Sequence, residues 1–141
     1  RVIKSSDIFL LNDEEAIQLT GLADLSKAGK ILLDWGPGCI IIKLGSRGSM
    51  LFENNSISII PCVPNINVID PTGAGDSFAG GLVGYMTNFN DKNMINAILY
   101  ASSVASFTVS DFGINKIINL NLNQIEERVD IIKNIMNRGI Q

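Results

Sequence analysis

The sequence contains no histidine, and only two of its 141 residues are cysteines. Without an imidazole group, the common zinc sites and acid–base catalysis by histidine are excluded. Cys39 and Cys62 lie too far apart in the sequence for a paired-cysteine metal motif, and nothing indicates an oxidising compartment. We expect Cys39, which begins an apolar run, to be a small core residue.

Basic clusters and long apolar segments are also missing. The 11 Lys and Arg residues are outnumbered by 14 Asp and Glu residues, which gives a net charge of −3 and disfavours nucleic acid or an anionic membrane as a partner. The longest apolar runs, residues 8–11 and 39–42, are far shorter than the ~20 residues that cross a bilayer. No signal-peptide pattern is visible. We therefore expect a cytoplasmic protein, long enough for one domain with a hydrophobic core.

The segments that remain alternate between strand and helix patterns. Asp7–Leu11 and Cys39–Leu44 are apolar runs typical of buried strands. Between them the sequence predicts two helices, the first capped by Asn12 and Gly21 and the second over Ala23–Trp35. Further along, it predicts two strands and three helices: Ser49–Phe52, Ile57–Ile60, Ala74–Met86, Lys92–Val109 and Gln124–Met136. This order indicates an α/β domain with a largely parallel sheet.

The last three helices also carry packing signals. The small residues of the first two should let their backbones approach closely, with Gly80 and Gly84 on the packing face. The third has one apolar stripe, formed by Ile125, Val129, Ile132 and Met136. We expect Ser46 and Arg47 to be turn residues.

Residues 69–81, IDPTGAGDSFAGG, place glycines at the entrance of a predicted helix. The P-loop pattern does not occur in the chain. The dinucleotide fingerprint fails because Phe78 stands where a third glycine is needed, and Ser77 lacks the flanking glycines of a hydrolase nucleophile. These tests disfavour an oxidoreductase or a hydrolase.

The physical chemistry of the same stretch favours an anion site. Gly73, Ala74 and Gly75 present backbone N–H groups at a helix N-terminus without a bulky side chain, where the helix dipole attracts a phosphoryl group. Asp76 behind them could accept the proton of an attacking hydroxyl. The structural alternative is that Asp76 is only a favourable first-turn acid and that the glycines only serve the turn.

Three motifs in order give the sequence a family resemblance. Asp70 to Asp76 resembles the signature of the PfkB/ribokinase family of sugar kinases. Asn12-Asp13-Glu14-Glu15 resembles the family's Asn-x-x-Glu motif, and residues 41–48, IIKLGSRG, resemble its nucleotide-binding strand and turn. The resemblance covers nearly the whole chain. It implies a ribokinase-like three-layer α/β/α fold and ATP- and Mg²⁺-dependent phosphorylation of a sugar or nucleoside.

The resemblance also implies roles for individual residues. Asp76 matches the catalytic base, and Gly73, Ala74 and Gly75 match the anion hole. Glu15 matches a residue that acts on Mg²⁺ through water. Asp70 and Thr72 match positions that bind a monovalent cation such as K⁺ in some members, although Val109–Gly113 departs from that pattern. The matches on the nucleotide side are Asn12, Glu15, Lys43, Gly45, Gly48, Gly75 and Ser102.

The resemblance further implies that residues 1–141 are the C-terminal, nucleotide-binding part of a longer chain, because the first residue is Arg1 and the family's sugar-binding motif and lid are absent. We expect such a piece to have little kinase activity alone and to self-associate through an exposed sheet edge or apolar face. A non-catalytic nucleotide- or phosphate-binding module is the alternative. Singly, Asn12 could be a cap, Glu15 a solvated acid and Gly45 and Gly48 a hairpin turn.

Overall fold

A computed structural model describes residues 2–113 and 115–139, so that Arg1 and Gln141, the ends of the predicted domain, lie outside it. The chain forms two compact units, residues 1–60 and 61–141. We call them the N-terminal unit and the C-terminal unit and describe each by itself. The single domain over residues 1–141 stays a prediction.

The N-terminal unit is a four-stranded sheet with two helices. In chain order, its elements are β1 Ile8–Asn12, α1 Asp13–Thr20, α2 Leu25–Asp34, β2 Cys39–Lys43, β3 Ser49–Glu53 and β4 Ser56–Ile60. The strands lie side by side in the order β1-β2-β3-β4. The two helices connect β1 to the parallel strand β2. The second helix is shorter than predicted at its start because Asp24 caps it, accepting hydrogen bonds from two backbone N–H groups.

The strand directions differ from the predicted largely parallel sheet. Within the described residues only the pairing of β1 with β2 is parallel, whereas β2–β3 and β3–β4 are antiparallel. The connections of these two pairs are too short for a crossover, which needs a dozen or more residues. Asn54 and Asn55 both have positive φ, 48° and 62°, as a two-residue hairpin turn requires.

The core of the N-terminal unit lies between its helices and one face of the sheet. Gly29 of α2 is buried against the ring of Phe52, and a Cβ at Gly29 would lie 2.2 Å from Phe52 Cζ. Cys39 is 3% exposed, which confirms the core prediction. Burial, together with the charge of Glu53, raises the pKa of the Cys39 thiol to about 11. The buried cluster comprises Leu11, Ala16, Leu32, Ile40, Ile42, Met50 and Phe52.

The C-terminal unit contains four helices within its described residues, and no strand: α3 Ala74–Asn88, α4 Met94–Thr108, α5 Asn115–Ile118 and α6 Leu122–Arg138. The short α5 was not predicted because four residues are too few for a periodic pattern. The α6 stripe is confirmed at Ile125 and Ile132, which are buried. No helix in the described ranges combines the length and apolar character that crossing a membrane requires.

Helices α3 and α4 run antiparallel in close contact. The sequence predicted Gly80 and Gly84 as the packing face, but an added Cβ at either would meet no described atom within 4 Å. The contact is made by Gly81, where a Cβ would lie 3.0 Å from the Cα of Ala101. The prediction was one residue off, and one residue turns a helix face by about 100°. The expected close approach of the two backbones is confirmed at Gly81.

Candidate active site

The N-terminus of α3 is left open by its own sequence. Gly73, the residue before the helix, has a positive φ of 79° and no side chain to cap the first turn. The N–H of Ala74 donates to the carbonyl of Pro71 at 3.2 Å, and the N–H of Ser77 donates to that of Gly73 at 2.9 Å. The N–H groups of Gly75 and Asp76, between them, have no acceptor among the described residues. Two backbone donors are therefore available to an external anion.

The other long helices close their first turn with a side chain. Each is preceded by a residue whose side-chain oxygen accepts a hydrogen bond from a first-turn N–H, namely Asn12, Asp24, Asn93 and Asn121. Such caps are worth about 0.5–2 kcal/mol each. The uncapped start of α3 is thus an exception among the long helices of the described residues.

Asp76 lies in that first turn with an exposed carboxylate. Among the described residues it has neither a hydrogen-bond partner nor an ion-pair partner. Thr108, the last residue of α4, packs against this turn. Its Oγ1 donates to Ser77 Oγ at 2.7 Å, and its Cγ2 would lie 3.8 Å from a Cβ added to Gly73. The backbone of the turn is therefore held in place while the Asp76 carboxylate points to solvent without a partner among the described residues.

The segment before α3 is fixed by Asp70. Its Oδ1 accepts the N–H of Thr72 at 2.9 Å, and hydrogen bonds from the Thr72 side chain and backbone lower the pKa of the Asp70 carboxyl. The N–H groups of Ile69 and Asp70 both donate to the carbonyl of Val109, at 2.8 and 3.2 Å. Both lone pairs of that carbonyl are therefore used. The monovalent-cation role of Asp70 and Thr72 stays a prediction.

In the N-terminal unit, Asn12 and Glu15 bond to each other at the start of α1. Asn12 Oδ1 accepts the Glu15 N–H at 2.7 Å, and Glu15 Oε2 accepts the Asn12 N–H at 2.8 Å, which is a capping box. Asn12 is also in register with Lys43, so both residues lie at the carboxyl ends of neighbouring parallel strands. The other Glu15 oxygen, Oε1, has no hydrogen-bond partner in the part of the chain that the structure describes, so a water molecule or a cation could bind it.

The turn after β2 has a more specific shape than a plain hairpin. Gly45 to Arg47 form a short 3-10 helical turn, and Gly48 follows it. Both glycines have positive φ, 60° at Gly45 and 92° at Gly48. The N–H of Leu44 donates to the carbonyl of Gly48 at 2.8 Å and closes the turn. Arg47 was predicted only as a turn residue, but its Nη2 contacts Asp13 Oδ2 at 2.7 Å. No sequence pattern indicates a pair 34 residues apart.

The side-chain oxygens near α1 suit a metal ion that keeps most of its water molecules better than one held entirely by protein ligands. Within residues 2–113 and 115–139, no group of three or more His, Cys, Asp or Glu side chains is placed to hold a metal ion. Mg²⁺ commonly keeps several waters and takes one or two carboxylates together with phosphate oxygens. The single free oxygen of Glu15 is compatible with that mode of binding.

Ser102 lies apart from the predicted site residues at the start of α3. It is in α4, six residues before Thr108, or about 9 Å along the helix axis. Its neighbour Ala101 packs on Gly81 in the middle of α3, whereas Thr108 contacts the first turn of α3. The role of Ser102 on the nucleotide side stays a prediction.

Comparison with known proteins identifies the family. The model of the "pfkB family carbohydrate kinase" matches residues 1–119. The chain belongs to the PfkB family. Both the resemblance seen in the three motifs and the α/β class are thereby confirmed, and the family is one of kinases.

Several curated relatives of this PfkB-family chain are sugar or nucleoside kinases. A cytidine kinase of Thermococcus kodakarensis is 34% identical over 60% of this chain and 31% of its own length. A bifunctional ribokinase/ribose-5-phosphate isomerase A of Fructilactobacillus sanfranciscensis is 32% identical, over 79% of this chain and 21% of its own. The mouse ribokinase is 31% identical over 77% of this chain and 35% of its own length. The chain thus spans about a third of these relatives' length or less.

Solved structures show the same fold. Aminoimidazole riboside kinase from Salmonella enterica, in complex with aminoimidazole riboside and an ATP analogue, superposes with a TM-score of 0.78 at 26% identity, over 91% of this chain and 43% of the other. Ribokinase from Arabidopsis thaliana, in complex with ribose and ATP, superposes with a TM-score of 0.78 at 27% identity, over 91% of this chain and 42% of the ribokinase chain. The PfkB-family chain therefore has a ribokinase-like fold.

Proposed function

We propose that the protein containing this chain transfers the γ-phosphoryl group of ATP to a hydroxyl of a sugar or nucleoside. The named relatives phosphorylate ribose or nucleosides, and two of the matching structures contain ATP or its analogue with the acceptor. The family supports a kinase in general. The roles that we propose for individual residues are supported by the motif resemblance and, at the start of α3, by the hydrogen-bond geometry.

The observation that carries the proposal is the open N-terminus of α3. In our proposal, the free N–H groups of Gly75 and Asp76 donate to the oxygens of the phosphoryl group, and Gly73 and Ala74 form the rest of the anion hole. The unpaired Asp76 carboxylate accepts the proton of the acceptor hydroxyl. The hydroxyl oxygen then bonds to the γ-phosphorus, the bond to the β–γ bridging oxygen breaks, and ADP leaves.

The N-terminal unit provides the groups that we assign to the nucleotide and the metal. We assign Lys43 and the turn from Gly45 to Gly48 to the nucleotide, together with Asn12 and, from α4, Ser102. Glu15 would hold Mg²⁺ through water, and that cation would neutralise charge on the phosphates. Asp70 and Thr72 are proposed for a monovalent cation because they match positions that bind one in some members of the family.

We propose little activity for the 141 residues alone. One cavity of about 220 Å³ lies between α3, α4 and α6, and another of about 230 Å³ lies between α2 and the β3–β4 hairpin. None of the predicted site residues lines either cavity. A hydroxyl must be held close to its base for efficient transfer. Association of copies through β4, where Ile59 is 66% exposed, and a location in the cytoplasm also stay predictions.

The test is Asp76→Asn in the protein at its full natural length. With ATP, Mg²⁺ and a panel of ribose, fructose and nucleosides, we expect the wild type to phosphorylate at least one acceptor. The variant should lose about 10²-fold or more in kcat while its affinity for ATP stays nearly the same. Turnover is measured by ADP release and affinity by calorimetry.

Asp130→Asn is the matched control, because Asp130 is an exposed carboxylate on α6. Unchanged kcat in Asp76→Asn would refute the base assignment. ATP binding by the wild type without phosphorylation of any acceptor would instead favour the non-catalytic binding module.

A further inference from the structure

Two site segments of the N-terminal unit are joined by one ion pair. Asp13 is the first residue of α1 and directly follows Asn12, whereas Arg47 lies in the turn between Gly45 and Gly48. Arg47 Nη2 donates to Asp13 Oδ2 at 2.7 Å. The segment assigned to the metal ion is thereby tied to the turn assigned to the nucleotide.

Both partners are oriented by their own backbone. Asp13 Oδ1 accepts the N–H of Glu14 at 3.1 Å, which leaves Oδ2 for Arg47. On the other side, the N–H of Arg47 donates to the carbonyl of Leu44 at 3.2 Å and fixes the turn that presents the guanidinium. The side chains of Arg47 and Asp13 are 66% and 30% exposed, so the pair is partly desolvated on the Asp13 side.

The turn needs such a contact because its ends are conformationally permissive. Gly45 and Gly48 both have positive φ. Glycine adopts such conformations easily, but its backbone can also adopt many others, so the turn is not fixed by its own sequence. The start of α1 is rigid by comparison, since the capping box of Asn12 and Glu15 closes it. The ion pair therefore restrains a pliable turn against a fixed helix end.

The pair also moderates local charge. Asp13, Glu14 and Glu15 place three carboxylates in the first turn of α1. A polyphosphate approaching this end would be repelled by them, and a guanidinium held on Asp13 offsets one of the charges.

We propose that Arg47 is a positioning residue for the nucleotide, acting through Asp13 to hold the Gly45–Gly48 turn in its binding shape. This rests on the proposed function, because the turn is assigned to ATP there. Arg47 acts on the shape of the turn and on local charge, and the chemistry stays with Asp76.

The experiment measures ATP affinity and kinetics of the full-length protein carrying Arg47→Ala, Asp13→Asn or both. Exposed ion pairs are weak, so we expect Arg47→Ala to raise the Kd and KM for ATP by about two- to fivefold and to leave kcat within about twofold. Asp13→Asn also breaks the contact but removes a carboxylate that repels the phosphates, so its increase in Kd and KM should be smaller. Because both changes break one contact, the double variant should be no worse than the weaker-binding single variant. Arg47→Lys, which keeps the charge, should recover part of the loss.

Lys27→Ala is the matched control, since Lys27 forms an exposed ion pair with Asp24 on α2, at 3.7 Å. It should leave the affinity for ATP unchanged. Additive effects in the double variant would overturn the proposal by showing that Arg47 acts without Asp13, and so would wild-type affinity in Arg47→Ala. The proposed function fails separately, through absent turnover in the wild type.

Discussion

The N-termini of α1 and α3 begin in opposite ways. At α1, the N–H groups of Glu14 and Glu15 donate to the side chains of Asp13 and Asn12. At α3, a glycine replaces the capping side chain, and two N–H groups find no acceptor in the described part of the chain. Groups of the chain close the first end, whereas the second leaves two donors to solvent or to a ligand.

The difference supports our proposal that the chain gives up helix stability at α3 for function. A capping side chain stabilises a helix by about 1 kcal/mol, and a helix end without one is usually solvated. At α3 that loss leaves donors and a free carboxylate together in one turn. At α1 the side chains that resemble a metal motif also build the helix, so Glu15 has a structural task in addition to its proposed one.

Of the variants that alter the two helix N-termini, we expect Gly73→Ala at α3 to have the largest effect on turnover. Alanine at a φ of 79° is strained by roughly 1–2 kcal/mol, so the first turn of α3 should shift and misplace its donors. In the full-length protein kcat/KM should fall at least tenfold, by analogy with the loss of one donor to a transition-state anion.

Gly80→Ala is the matched control for that variant. Gly80 lies inside α3 with open space at its Cβ position, so alanine should stabilise the helix by about 0.5–1 kcal/mol and leave kcat/KM unchanged. Thermal unfolding and initial rates measure both variants. Equal rates in Gly73→Ala and the wild type would show that the shape of the α3 entrance does not matter.

A smaller effect is expected at α1, where two variants separate structure from metal binding. Asn12→Ala removes the cap and should lower the free energy of unfolding by about 1 kcal/mol. Glu15→Gln keeps an oxygen to accept the Asn12 N–H, so stability should change by less than about 0.5 kcal/mol. Removing the charge should nevertheless raise the Mg²⁺ concentration needed for half-maximal turnover.

Denaturant unfolding and Mg²⁺ titrations of the rate provide the two readouts. If Glu15→Gln were as destabilising as Asn12→Ala and had no effect on the Mg²⁺ requirement, Glu15 would be only a capping residue.

Much of the fold was predictable because the signals are local. Asn12 and Gly21 bound α1 as predicted, and Gly21 has the left-handed φ of 72° that favours glycine. The apolar run from Cys39 becomes a buried strand. Strand direction was not given by those runs, since it depends on the length of the turns between β2, β3 and β4.

The roles of the site residues stay predictions, and the contacts around them could not be predicted from the sequence. The motif around Asp76 indicated an uncapped helix entrance, and the structure has one. The Arg47–Asp13 pair and the support of Ser77 by Thr108 join residues 34 and 31 positions apart, which no local pattern reveals. The choice of Gly81 over Gly80 as the packing residue likewise depends on how α4 lies against α3.

The most direct test of the central claim reads the backbone amides themselves. A ¹⁵N-labelled full-length protein is titrated with ATP in the absence of Mg²⁺ and followed by ¹H–¹⁵N correlation spectra. We predict large shifts at the amides of Gly75 and Asp76, and clearly smaller ones at those of Glu14 and Glu15, whose protons already have acceptors. Unmoved amides at Gly75 and Asp76 in an ATP-saturated protein would contradict the account.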